Sequence, residues 1–292
     1  MTRRAWLLSV IGVGLILAGI AATAPAPEPK FSVEQCRKIA AEFLGVPPGE
    51  LTREGAAMLL ERPTDLRPPV RVFVLPCPEG AKVPYAAQQE GRAWVVVDAW
   101  NGEVMAVEYQ ARRYEIGAEE ISEEAARAAA QRFLKAQWRH VDRARFESAS
   151  EPWRPGRFAN PQTAPQQSFT WVVERQAIRV GKATLNVNLT TGEVLTYGQQ
   201  YYPAEGLSPA RVTKQQAINA TLSKLADEQR TKAIVQEAFL ATTWHKGEVR
   251  LAWVVYLKAP ARMPPGYRMT PPMRTYGLQL DAHTGEVYME VK

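Results

Sequence analysis

Three histidines, two cysteines and a recurring set of acidic residues are the side chains here whose types could support chemistry. The histidines are His140, His245 and His283. None stands in a His-Glu-x-x-His motif or four residues from another, so the ligand pattern of a zinc peptidase is missing. All three read as surface residues, His245 and His283 in turns and His140 near a helix end. There is no Gly-x-Ser-x-Gly nucleophile elbow and no phosphate-binding loop. Nothing marks a Ser–Lys or Asp–Asp pairing. The expectation is a protein with no catalytic site, metal ion or cofactor of its own.

Cys36 and Cys77 are the only cysteines. Outside the cytoplasm they could form a disulfide. A loop of about 40 residues closed this way would contribute roughly 4 kcal/mol by restricting the unfolded chain. The other reading makes Cys36 a small core residue, since Ala126 and Ala217 stand at the matching places of later helices. There is no Cys-x-x-Cys, so a redox pair or metal site is not indicated.

The acidic residues follow a pattern. Residues 98–104 read Asp-Ala-Trp-Asn-Gly-Glu-Val, 188–194 read Asn-Leu-Thr-Thr-Gly-Glu-Val and 281–287 read Asp-Ala-His-Thr-Gly-Glu-Val. Gly102, Gly192 and Gly285 lie 90 and 93 residues apart. Alternating apolar runs flank each stretch, which predicts three β-hairpins. One residue of such a turn takes positive φ, which glycine does without steric cost. Asp98, Asn188 and Asp281 can accept hydrogen bonds from turn amides. Their side chains therefore read as turn chemistry rather than as metal ligands.

A helix precedes each set of strands. Ser32, Ser122 and Thr213 are N-caps, 90 and 91 residues apart, each preceded by an apolar staple residue, Phe31, Ile121 or Val212. Gln35 and Gln216 complete capping boxes, whereas Ala125 does not. Cys36, Ile39, Ala40 and Phe43 form one apolar stripe, repeated by Ala126, Ala129, Ala130 and Phe133. Strand-like runs follow at 56–62, 70–75, 93–98 and 103–109; at 143–150, 169–175, 182–189 and 193–197; and at 234–244, 249–258, 275–281 and 286–291. The expected fold is α+β, with three tandem repeats at 31–110, 119–200 and 206–292, each a helix on an antiparallel sheet of about four strands.

Prolines, 22 in all, gather in the loops at 62–69, 151–167 and 259–273. The last of these holds Arg262, Met263, Tyr267, Arg268 and Met269, with Met273 at its end. It reads either as a solvated hairpin loop or as a partner contact, because Arg, Met and Tyr are enriched at interfaces. The net charge of +6 is mild, and no basic stripe with interleaved aromatics appears, so nucleic acid is not an expected partner. Residues 1–24 carry Arg3 and Arg4 before a long apolar run, the pattern of a secretory signal peptide or N-terminal membrane anchor. Residues 25–30 form a short linker. The body is therefore expected outside the cytoplasm, either secreted or anchored by its N-terminus.

A capped helix followed by a sheet that ends in Asp-Ala-x-x-Gly-Glu-Val resembles the PepSY family and the related YcdB/YcdC repeats of bacterial envelope proteins. The resemblance covers about 260 residues as three copies. It implies a non-enzymatic role, since PepSY units act in propeptides that assist folding and restrain secreted peptidases, and as modules of membrane-anchored proteins. The expected function is a protein-binding or regulatory module of the cell envelope. Its expected partner is a secreted hydrolase or an envelope signalling protein. The alternative is an inhibitor or folding chaperone of a secreted peptidase or cell-wall hydrolase. A third reading, an enzyme of another type, would need a cleft where Asp, Glu or Lys side chains converge.

Overall fold

The computed structural model describes residues 28–51, 68–75, 93–109, 118–154, 165–262 and 270–291. In chain order these form α1 (Val33–Leu44), β1 (Val70–Leu75), β2 (Ala93–Asp98), β3 (Val104–Tyr109), α2 (Glu123–Gln137), β4 (Ala144–Ala149), β5 (Gln166–Arg175), β6 (Ile178–Asn188) and β7 (Val194–Tyr201). Then come α3 (Lys214–Ser223), α4 (Asp227–Arg230), β8 (Ile234–His245), β9 (Glu248–Pro260), β10 (Met273–Asp281) and β11 (Val287–Val291). The fold is α+β, with one large and mostly antiparallel sheet and few helices.

The helices begin where the caps require. The hydroxyls of Ser32, Ser122 and Thr213 accept from the amides of Gln35, Ala125 and Gln216, each at 3.2 Å. Gln35 and Gln216 return the bond to the cap amide at 2.8 Å. Each staple residue also hydrogen-bonds to a hairpin turn. The Phe31 amide donates to Ala99 O, Ile121 to Leu189 O and Val212 to Ala282 O, at 2.7–2.9 Å. The start of each helix is therefore tied to the turn at the far end of its own stretch of chain.

The three turns share one geometry. Gly102, Gly192 and Gly285 take φ of 73°, 73° and 77°. Their amides donate to Asp98 O, Asn188 O and Asp281 O at 2.8–3.0 Å. The staple residue lies above each glycine. A Cβ on Gly102 would come 2.7 Å from Phe31 Cζ, one on Gly192 3.5 Å from Ile121 Cδ1 and one on Gly285 3.9 Å from Val212 Cγ2. Alanine at Gly285 would thus carry only the backbone cost of about 1–2 kcal/mol, whereas at Gly102 it would also collide with Phe31. Beyond each turn lies a bulge, at Met105, Leu195 and Tyr288, where one strand carries an extra residue.

Separate sheets of about four strands were expected, and this is corrected. Among the described residues, eleven strands join one sheet, in the order β1-β2-β3-β7-β6-β8-β9-β10-β11, with β5 paired to β6 and β4 to β5. The strands β3 and β7 pair antiparallel through residues 106–108 and 196–198. A short parallel contact, Ile178 with Leu240 and Arg179 with Ala241, attaches β8 to β6. An open strand edge presents unmatched amides and carbonyls, and these two pairings satisfy some of them. The strand expected at 56–62 lies outside the described residues.

The helices cover one face of this sheet: α1 lies on β1–β3, α2 on β5–β7 and α3 on β8–β10. Among the described residues, two apolar cores lie beneath them. One is shared by α1, α2 and β1–β7, with Phe43, Phe133 and Tyr197 in mutual ring contact where the two helices meet. The other lies under α3 and includes Leu251, Val255, Leu257 and Leu280. Among the described residues, no helix is long and apolar enough to cross a membrane.

Candidate functional site

Strand alternation sends every second side chain to the face that the helices leave uncovered. There the strands of the first two stretches and those of the third line a common groove of about 740 Å³. Its floor is made of small residues, Ala106, Gly198 and Ala241. Phe239, Val254 and Tyr256 form one wall, Met105 and Met289 add flexible apolar surface, and Thr184, Gln200 and Gln279 supply neutral polar groups.

The corner of the groove is a joint between β6 and β8. Arg179 spans it, with Nη2 2.7 Å from Glu147 Oε1 and Nε 3.5 Å from Glu174 Oε1, and with an ion pair to Glu237. Its guanidinium lies over the Phe239 ring at 3.6 Å. The Thr242 hydroxyl donates to Tyr202 O at 2.6 Å, and the Tyr202 amide donates to Val180 O. Trp244 then packs edge-on against Trp100 of the first hairpin turn, at 5.0 Å.

Two other titratable clusters lie beside the groove, the first sharing Gln199 with its lining. Buried Glu103 accepts from Gln199 Nε2 at 3.1 Å, lies 3.1 Å from His140 Nε2 and is ion-paired with Arg139. Burial alone would raise its pKa, but the hydrogen bonds from His140 and Gln199 and the charge of Arg139 outweigh it and hold the carboxylate below its ordinary value. The His140 ring stacks on Tyr201 at 3.5 Å. This cluster ties the first hairpin to the end of α2.

The second cluster is centred on Asp281. Its Oδ1 accepts from the amides of His283 and Thr284, while Oδ2 accepts from the Tyr288 hydroxyl and lies 3.3 Å from Arg250 Nη1. His245 stacks on Tyr288 at 3.7 Å. The expectation of a surface turn for His245 is corrected: it ends β8 and is buried. The packing of β11 against the β8–β9 hairpin covers it, a contact between strands far apart in sequence. At the equivalent first position, Asp98 Oδ1 accepts from Trp100 and Asn101 amides at 2.7 and 3.3 Å. At the second, Asn188 Oδ1 accepts from Thr190 N at 2.8 Å.

The structure thus places Asp98, Gly102, Asn188, Gly192, Asp281 and Gly285 in three turns and not in one shared site. Cys36 is buried in α1, but Cys77, and with it any pairing of the two, lies outside the described residues. Of the loop at 259–273, Arg262 is exposed, while Met263, Tyr267, Arg268 and Met269 lie outside the described residues. The groove was not found from sequence. Its one local signal is Arg179 and Lys182 standing inside the strand-like run Ile-Arg-Val-Gly-Lys-Ala-Thr-Leu at 178–185. Among the described residues, no group of three or more His, Cys, Asp and Glu side chains is arranged to hold a metal ion.

No family model matches the sequence, and no curated protein matches it. Among solved structures the chain is similar to the Bacillus megaterium YpeB C-terminal domain, at 15% identity, over 91% of this chain and 99% of that one, with a TM-score of 0.40. It is also similar to a protein from Eubacterium rectale, at 11% identity, over 88% of this chain and 81% of that one, with a TM-score of 0.44.

Proposed function

We propose that this chain is a non-enzymatic, extracytoplasmic module of the cell envelope that binds another protein. In this reading it consists of three PepSY-like units, at 31–110, 119–200 and 206–292, and residues 1–24 direct it to or hold it at the membrane. The partner is a secreted hydrolase or an envelope signalling protein. The observation that carries the reading is the groove on the helix-free face, a concave surface that mixes apolar walls with a few polar groups, as binding sites do.

The loop at 259–273 is the second contact in this reading. The strands β9 and β10 pair as far as Pro260 with Met273, so a two-residue turn can replace the segment between them. A chain carrying Asn-Gly in place of residues 261–272 is expected to keep its thermal midpoint. Its capture of crosslinked partner from native envelopes is expected to fall about tenfold, the equivalent of roughly 1.4 kcal/mol. Capture that matches the intact chain would remove the loop from the interface. An unchanged yield after substitution in the groove as well would sink the binding reading.

A further inference from the structure

The end of the sheet where β8 and β10 begin and β9 finishes is apolar and basic at once. Among the described residues five large apolar side chains are exposed, and three of them, Ile234, Val235 and Met273, meet there. Exposed apolar side chains gathered in one place mark an interaction surface. The strand register puts these on both faces of the sheet. Ile234 stands opposite Lys258, Lys258 opposite Thr275 and Met273 opposite Pro260. Lys258 alternates with Val254 and Tyr256 of the groove wall, so this set lies on the helix-free face. Val235 stands opposite Leu257, and Arg274 opposite Ala259, on the face of the core under α3.

The charges around these side chains are of one sign. Lys232 precedes β8 by two residues and Arg262 follows β9 by two; both are exposed, as are Lys258 and Arg274. None of the four makes an ion pair among the described residues. The helix α4 lies beside this end, where Gln229 Nε2 donates to Pro260 O at 2.7 Å. Its Asp227 is paired with Arg230, and Glu237 of β8 is paired with Arg179. Glu228 is therefore the one nearby carboxylate left against four cations. None of the four cations or three apolar residues lines the groove. A partner surface laid on one face of the sheet would leave the side chains of the other face in water. A bilayer interface takes in a protruding end from both sides, with aliphatic groups at the acyl boundary and cations among the lipid phosphates.

We propose that this end of the β8–β10 layer seats on an anionic membrane surface, with Ile234, Val235 and Met273 entering the headgroup region and Lys232, Lys258, Arg262 and Arg274 on lipid phosphates. This adds a membrane contact to the protein-binding reading and does not depend on it. The groove stays open to a partner, and a partner on the loop at 259–273 would be met at the membrane surface.

The test uses the full chain with an environment-sensitive fluorescent amino acid in place of Thr275, at this end, or of Lys135, on α2. Each is mixed with vesicles of phosphatidylcholine, with and without phosphatidylglycerol. The probe at 275 is expected to shift to the blue and to be shielded from acrylamide when phosphatidylglycerol is present. High salt should reverse the change, and the probe at 135 should not move. Lys232→Ala with Lys258→Ala should raise the lipid needed for half the shift about fivefold for each lysine removed. Ile234→Ser with Met273→Ser should restore acrylamide access. Circular dichroism and the urea midpoint report folding, and the lysine pair decides alone if the apolar pair does not fold. Insertion of residues 1–24 would move both probes alike in both kinds of vesicle, and that result alone would overturn the proposal. So would a probe at 275 that phosphatidylglycerol leaves unchanged. If vesicles leave that probe unchanged while a photoreactive residue at 275 gives a discrete protein adduct in native envelopes, the end is a protein contact and the membrane seat falls. The protein-binding reading is decided separately, by crosslinking from the groove.

Discussion

Asp98→Asn is expected to stabilise the protein at pH 7. Asp98 is 1% exposed. Burial is the largest influence on it and outweighs the hydrogen bonds from Trp100 and Asn101, pushing its pKa from 3.8 up to about 6. A carboxyl raised in the folded state favours folding while it is protonated. That contribution is fully present below about pH 4 and is lost as pH rises through about 6. At pH 7 the folded chain therefore carries a buried charge at a cost of about 3 kcal/mol at most. Asparagine keeps an oxygen that can accept from the turn amides, as Asn188 does in the second turn. The variant should gain about 1–2 kcal/mol in urea unfolding at pH 7, and the gain should vanish near pH 4. A variant no more stable than the wild type at pH 7 would show that the Asp98 charge is compensated.

The same substitution at the third turn is expected to do the opposite. Asp281 is equally buried. Burial would raise its pKa, but Tyr288, the amides of Thr284 and His283, and Arg250 together outweigh it and bring it down to about 2. A depressed carboxyl stabilises above its unfolded pKa, and that stability is lost as pH falls from about 4 through about 2. Asp281→Asn should cost about 2 kcal/mol at pH 7. Little of the loss should remain near pH 2. The difference lies in the bulge residue seven positions on, Tyr288 here but Met105 in the first hairpin, and in Arg250, whose counterpart there is Pro68. A substitution at Asp281 that is neutral at pH 7 would mean that Tyr288 and Arg250 find other partners.

That difference also shows where sequence reading stops. Caps and turns are local, so Ser32, Ser122, Thr213 and the three glycines were legible from residue type and spacing. The strands at 70–75 and 93–98 were legible from alternation. The bulges at Met105, Leu195 and Tyr288 were not, because an extra residue in one strand leaves no mark of its own in an apolar run. The joining of β3 to β7 and β6 to β8 was not legible either, since two short pairings between distant segments decide it. The groove depends on that joining. Its polar and small residues, Lys182, Thr184, Gly198 and Gln279, come from separate strands and mean little until the sheet brings them together. The burial of His245 follows from the same long-range packing.

The proposed seat of a partner on the helix-free face can be tested directly. A photoreactive residue at Gln279, in the groove, and one at Lys135, exposed on α2 on the opposite side, are introduced singly into the full chain and activated in native envelopes. The account predicts a discrete, higher-mass crosslinked product from Gln279 and none above background from Lys135, with the Gln279 product lost when Gly198→Trp is added. Crosslinking from Lys135 alone, or equal crosslinking from both positions that Gly198→Trp does not change, would contradict a partner seated on the helix-free face.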